Sequence, residues 1–381
     1  MSASWQAALE RWVKAGLVDT ASAERIRAWE AREGGVTRKS RLALLVFAFG
    51  GLLLTAGVLL FVAAHWDRLS PGARFSLVLA MIAVFHAGGA VSARVSHALS
   101  VTLHAAGTAA LGAGIFLAGQ IFHMAEHWPG ALMLWSAGAA VGVWLLRQWP
   151  QVLWLALLAP AWLWGEWIAA QPPDGAWRSM TPITVGIFLL ACVYLAARPP
   201  GSQLAWRRTL AWIGAVALVP AAGALAMASD TRHAFPGGEA HGISDATLVV
   251  GWALAIGAPL ALAGFLRRRD AVWLLAAVAW ALVVGHVSPR GDAGELALYA
   301  LLALGAVGVV LWGIRDHARL AINVGVFGFA VAVLAFYFSS VFDRLGRAFG
   351  LIGLGILFIG GGWLLERTRR RLVGRVEQGV A

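Results

Sequence analysis

Apolar and polar positions follow two different rhythms along this chain. In the first 40 residues the apolar side chains are spaced for helices lying against a surface. Trp5, Leu9, Trp12 and Val13 recur at i, i+4, i+7 and i+8, one face of a helix. Gly16 ends that helix, Asp19 or Thr20 is placed to cap the next, and Ile26 and Trp29 give it a second apolar stripe before Gly34-Gly35. From residue 42 the rhythm changes to long apolar runs broken by short polar turns. The clearest is Phe49–Phe75, in which a run with Gly50-Gly51 and Gly57 stops at His65-Trp66-Asp67, turns at Ser70-Pro71-Gly72, and begins again. A run of ~20 helical residues crosses a ~30 Å hydrocarbon core, and a helix satisfies its own backbone groups there.

Twelve such runs predict twelve membrane spans, at about 42–64, 74–92, 101–122, 131–147, 151–169, 182–197, 209–228, 246–266, 271–287, 295–314, 320–338 and 348–365. The runs at 131–147 and 182–197 are short, as expected of tilted neighbours or interfacial segments. The fold class is therefore all-α: a polytopic transmembrane bundle of about 12 spans preceded by a short amphipathic helical hairpin. Four segments follow: residues 1–41, the hairpin and a basic juxtamembrane stretch; 42–147, a first membrane unit of spans 1–4; 148–366, spans 5–12; and 367–381, a basic tail. Connections are short, the longest being Ser229–Asp245, so no soluble domain is inserted.

Composition agrees. The chain of 381 residues is 60% hydrophobic and 13% charged, against roughly 25% charged in a soluble protein. A net charge of +11 would suggest nucleic acid in a soluble chain, but membrane proteins gather Lys and Arg on the cytoplasmic side. With both termini cytoplasmic, 23 Lys/Arg fall inside. These lie in the first segment, at Arg94, Arg147, Arg198, Arg207 and Arg208, at Arg267–Arg269, at Arg315 and Arg319, and in the tail. Seven fall outside: Arg68, Arg74, Arg178, Arg232, Arg290, Arg344 and Arg347. That skew predicts an even span count and this orientation, and the expected location is a bacterial cytoplasmic (inner) membrane. Nearly all-arginine basic usage, with 45 Gly and 20 Trp, points to a GC-rich bacterial genome. One cysteine, Cys192, allows no internal disulfide. The charged first 40 residues lack the short apolar core of a cleavable signal peptide.

Three stretches carry a resemblance. Lys14–Asp19 with Ala23–Trp29, then Gly50–Phe61 with Ala63-Ala64-His65-Trp66-Asp67 and Leu69-Ser70-Pro71, then Gly119-Gln120-Ile121-Phe122-His123 with Leu134-Trp135, are similar to the bacterial membrane family called domain of unknown function 2157. The resemblance covers roughly residues 5–150. It implies a helical hairpin followed by membrane spans, and no activity.

Candidate chemistry is sparse. Spans 1 and 3 both run outward, so His65, Trp66, Asp67, Gln120 and His123 are expected in one outer polar cluster, which either pins the hairpin or lines a ligand site. His86 and His104 lie inside spans 2 and 3, where polar groups are costly and often functional. Each bonds a neighbouring carbonyl, or the two form a proton relay. His123-Met-Ala-Glu126-His127 spells an inverted zinc-protease motif. Pro129 follows at once and no third ligand stands out, so neither metal nor cofactor is expected. Asp343–Arg347 resembles the D-R-x-G-R loop of major-facilitator transporters, but it precedes the last span and faces outward. The tryptophans read as interfacial anchors or lipid-facing bulk.

No acid, base and nucleophile converge, so an enzyme is not expected, and a two-helix unit is too small for a DNA reader. Expected partners are the lipid bilayer and a protein met through the N-terminal hairpin, not nucleic acid. Two function classes remain: a non-enzymatic scaffold, assembly or sensing protein, and a small-molecule or lipid transporter, which should show a midplane cavity.

Overall fold

The computed structural model describes residues 9–29, 70–121, 127–171, 180–199, 201–202, 204–234, 244–267, 273–287 and 291–341, with isolated helical positions between 46 and 60 and between 355 and 360. Every regular element among them is helical. By contacts the chain divides into Met1–Glu126 and His127–Ala381.

In the first unit, α1 (9–14) and α2 (20–29) are joined by a tight turn. Gly16 takes φ +70°, and the amides of Gly16 and Leu17 bond back to the carbonyls of Val13 and Trp12 at 3.0 and 2.9 Å. This closure needs a left-handed residue, which glycine supplies without strain. Asp19 caps α2, accepting from the Ser22 amide at 2.6 Å and the Ser22 hydroxyl at 2.9 Å. Leu9 and Ala23 are buried, whereas Trp12, Leu17, Ile26 and Trp29 are exposed. Trp5 lies outside the described residues.

The membrane part of this unit is the packed pair α3 (Pro71–Ser92) and α4 (His97–Ile121). The expected Ser70-Pro71-Gly72 turn is the start of α3. Ser70 Oγ accepts from the Ala73 amide at 3.3 Å, and Pro71 occupies a first-turn position that needs no donor. Val78, Met81, Phe85 and Ala110 form the core between the two helices.

The second unit contains α5 (Trp128–Leu146), α6 (Trp149–Ala169), α7 (Met180–Leu195), α8 (Ala205–Ala234), α9 (Asp245–Arg267), α10 (Trp273–His286), α11 (Gly291–Arg315) and α12 (Arg319–Ser339). Neighbours in sequence pair as α5–α6, α7–α8 and α11–α12, while α9 and α10 pack on α7. The turns are short because each uses a left-handed residue or an early proline. Arg147, at φ 53°, closes α5 and Pro150 opens α6; His317, at φ 50°, closes α11, with the Ala318 amide 2.8 Å from the Gly313 carbonyl.

Eight described helices are long and apolar enough to cross a membrane: α3, α4, α5, α6, α8, α9, α11 and α12. The runs at 182–197 and 271–287 form the shorter apolar helices α7 and α10. The first and last expected spans lie outside the described residues apart from the isolated positions. Helix α5 begins at Trp128 and reaches 19 residues, so the 131–147 run has crossing length after all; Pro129, tolerated in a first turn, lets the helix start earlier. Helix α7 is no interfacial segment. Twelve of its residues are buried, from Thr181 to Leu195, because it is apolar on every side and α8, α9 and α10 surround it.

Two features of α7 and its neighbours repair the backbone. Pro160, inside α6, has no N–H, which leaves the Ala156 carbonyl without its helical donor. The Tyr194 hydroxyl of α7 donates to that carbonyl at 2.9 Å. In α9 a wide π-turn, Ala253–Gly257, stands directly before Ala258-Pro259, the kind of local adjustment that accommodates a proline in a membrane helix.

Candidate functional site

Three places hold chemistry among the described residues, and each lies within a single unit.

The first is in the second unit. A cavity of about 1060 Å³ lies between the α11–α12 pair and α7, α8 and α10. Phe188, Trp280 and Leu302 typify its mostly apolar wall. Arg267, Trp273 and Arg315 stand at one end, Glu295 and Tyr299 at the other. Twenty positions of α11 separate Glu295 from Arg315, about 30 Å at 1.5 Å per residue, so the cavity runs along a length matching the hydrocarbon core. Gly223 and Gly308 line it, and an added Cβ at either would meet nothing within 4 Å.

The basic end is built from residues distant in sequence. Arg207 donates one Nη1 to the last-turn carbonyls of two helices, Ala197 after α7 at 2.9 Å and Leu266 of α9 at 3.2 Å, where the helix dipole favours a cation. Arg267 pairs with Asp316, both nearly buried. The Arg315 guanidinium lies 4.0 Å from the centre of the Trp273 ring.

Tryptophans shape this unit from within. The Trp167 indole donates to the Thr247 carbonyl at 2.8 Å, and its ring occupies the space where a Cβ on Gly251 would sit. Trp280 repeats the device, donating to Leu301 at 2.9 Å over Gly305. In each case the glycine is four residues beyond the accepting carbonyl, so one missing side chain exposes the carbonyl one turn earlier. The exposed Trp128 ring also rests over a glycine, Gly165. The Trp167 and Trp280 rings are wedges between helices rather than headgroup anchors. The signal missed in the sequence is a tryptophan on one helix facing a glycine on another.

The second place is in the first unit, where His86 and His104 meet. Their Nδ1 atoms are 3.1 Å apart and the ring centres 5.4 Å. His104 is buried. A Cβ on Gly107 would fall 2.7 Å from His86 Nε2, and one on Gly89 would fall 2.8 Å from His104 Nε2. Each helix thus carries His-x-x-Gly, and each ring fills the other helix's gap.

The third is a surface pair. His127, just before α5, lies 2.9 Å from Glu166 of α6 through Nε2, and Trp162 Nε1 donates to the other Glu166 oxygen at 2.9 Å. His123 and Glu126, the rest of the H-x-x-E-H run, lie outside the described residues, as do His65, Trp66, Asp67 and Asp343–Arg347. Of the expected outer cluster, Gln120 alone is described; it is exposed in the last turn of α4. No group of three or more potential metal ligands occurs among the described residues.

The fold and these sites define an α-helical membrane protein of several spans. Residues 10–152 match the model of the family described as Predicted membrane protein (DUF2157), the stretch in which the sequence motifs fall. No curated protein and no solved structure matches the chain.

Proposed function

We propose that this chain is a non-enzymatic, multi-pass protein of a bacterial inner membrane, with twelve spans and both termini cytoplasmic, and that it holds a long-chain amphiphile in its second unit. The cavity of about 1060 Å³ carries this reading. It exceeds the ~300–1,000 Å³ of ordinary small-molecule pockets, is apolar along a bilayer's thickness, and has arginine at one end for a polar headgroup. Of the two function classes open from the sequence, this favours lipid handling over pure scaffolding. A photoactivatable diacyl phospholipid, incubated with the protein in nanodiscs, is expected to label α7, α8 and α11. Gly223→Phe and Gly308→Phe fill open space and should cut that labelling several-fold without unfolding the protein. Absence of labelling on these helices in the wild type would overturn the proposal.

A contact role is supported by a separate observation: Trp12, Leu17, Ile26 and Trp29 are exposed on and between α1 and α2. Two short helices presenting large apolar groups suit a membrane surface or a protein partner. Replacing Trp12 and Trp29 with Ser should then release a crosslinked partner while leaving lipid labelling unchanged.

A further inference from the structure

The His86–His104 pair, in the first unit, has its own chemistry. A nitrogen–nitrogen distance of 3.1 Å is a hydrogen bond only if one Nδ1 carries a proton and the other does not. When the pair is uncharged, such a bond requires the two rings to hold different tautomers. Each ring occupies the space that a Cβ on the opposite glycine, Gly107 for His86 and Gly89 for His104, would need.

A line of small polar groups leads to the pair. Ser96, Ser100, His104 and Thr108 follow at four-residue steps along one side of α4. Ser100, His104 and Thr108 are buried, and the Thr108 hydroxyl donates to the His104 carbonyl at 3.1 Å. Ser96 belongs to the turn joining α3 and α4, where its amide bonds to Ser92 at 2.8 Å. From that turn to either histidine is about two helical turns, roughly 10 Å at 1.5 Å per residue. The other charged or titratable side chains of α3, α4 and their turn are Arg74, more than three helical turns from His86, and Arg94 and His97, at the turn.

We propose that His86 and His104 form a single proton-binding site inside the first unit, exchanging with the aqueous face at the turn along Ser96 and Ser100. In the neutral pair, one ring holds its proton on Nδ1 and leaves Nε2 bare, and the other holds its proton on Nε2 and accepts through Nδ1. An incoming proton adds to the bare Nε2. The pair then carries one positive charge, both Nε2 atoms are protonated, and the third proton lies between the Nδ1 atoms. Release reverses these steps, or removes the proton from the other Nε2 after the shared one has crossed, which exchanges the two tautomers.

The test is nitrogen-15 NMR of histidine-labelled full-length protein in nanodiscs, titrated with acid. Two groups coupled this closely take up protons in two macroscopic steps separated by more than about one pH unit. Signals of both rings should move together in the first step. His104→Gln should leave His86 with one ordinary transition, and Gly107→Ala, which displaces the ring without removing it, should merge the two steps. Ser100→Ala should slow exchange with solvent at an unchanged midpoint. Independent titration of the two rings in the wild type, each in one step, would refute the proposal whether or not any variant folds.

Discussion

The Tyr194–Ala156 hydrogen bond gives the sharpest energetic test of the fold. Pro160 removes the donor that would have bonded Ala156 within α6, and the Tyr194 hydroxyl replaces it at 2.9 Å. Both partners are buried, at 7% exposure each, so water is not an available substitute. Tyr194→Phe keeps the ring and deletes only the hydroxyl, leaving a buried carbonyl unpaired at a cost of about 1–3 kcal/mol. Pro160→Ala restores an N–H four residues beyond Ala156. In that background the same Tyr194→Phe change should cost markedly less, because the helix then supplies its own donor. Proline-to-alanine effects on the unfolded chain occur with either residue at 194 and cancel in the double-mutant cycle, leaving a coupling of about 1 kcal/mol or more. Reversible denaturation in mixed micelles, followed by tryptophan emission, measures all four variants. If Tyr194→Phe costs the same in the Pro160→Ala background as in the wild type, the repair argument is wrong.

Three further outcomes are expected. Trp280→Phe should lower stability by about 0.5–1.5 kcal/mol through loss of the bond to Leu301, whereas Trp144→Phe, at an exposed position, should not; the same denaturation assay decides. The Ser22 amide and hydroxyl hold the Asp19 carboxyl below its ordinary value. Its support for α2 is therefore complete above the unfolded carboxylate pKa and is lost as pH falls through the lower folded one. A fall in Ser22 amide protection, measured against its intrinsic exchange rate, as pH is lowered, absent in Asp19→Ala, would register this. A reporter active only outside the cytoplasm, fused after Ala381, should stay silent, and strong activity would overturn the proposed topology.

The apolar runs made most of the helices legible, because length and hydropathy are local properties. The runs at 74–92, 151–169 and 320–338 required no knowledge of neighbours. What α7 does was not legible: a short run reads alike at an interface and at the centre of a bundle, and only its neighbours distinguish them. The same limit hid the tryptophan wedges. Trp167 and Gly251, or Trp280 and Gly305, are inconspicuous until two helices place a ring against a bare Cα. His86 and His104 were singled out because imidazoles in apolar runs stand out. Their reciprocal use of Gly89 and Gly107 depends on the register of the α3–α4 pair, which a single sequence does not specify. The His65–Asp67 and His123 part of the expected outer cluster falls outside the described residues.

The basic end of the second unit also bears on how the protein is made. Its ties run forward along the chain. Arg207 first reaches Ala197, ten residues behind it, and finds its second acceptor at Leu266 only when 59 more residues exist. Arg267 in turn meets Asp316 49 residues later. A nascent chain can therefore close the α7–α8 hairpin with its own resources, but each later joint awaits the next hairpin to emerge. Translation arrested before residue 316 leaves the Arg267 side chain without the Asp316 carboxylate. Completing the α11–α12 turn supplies that carboxylate.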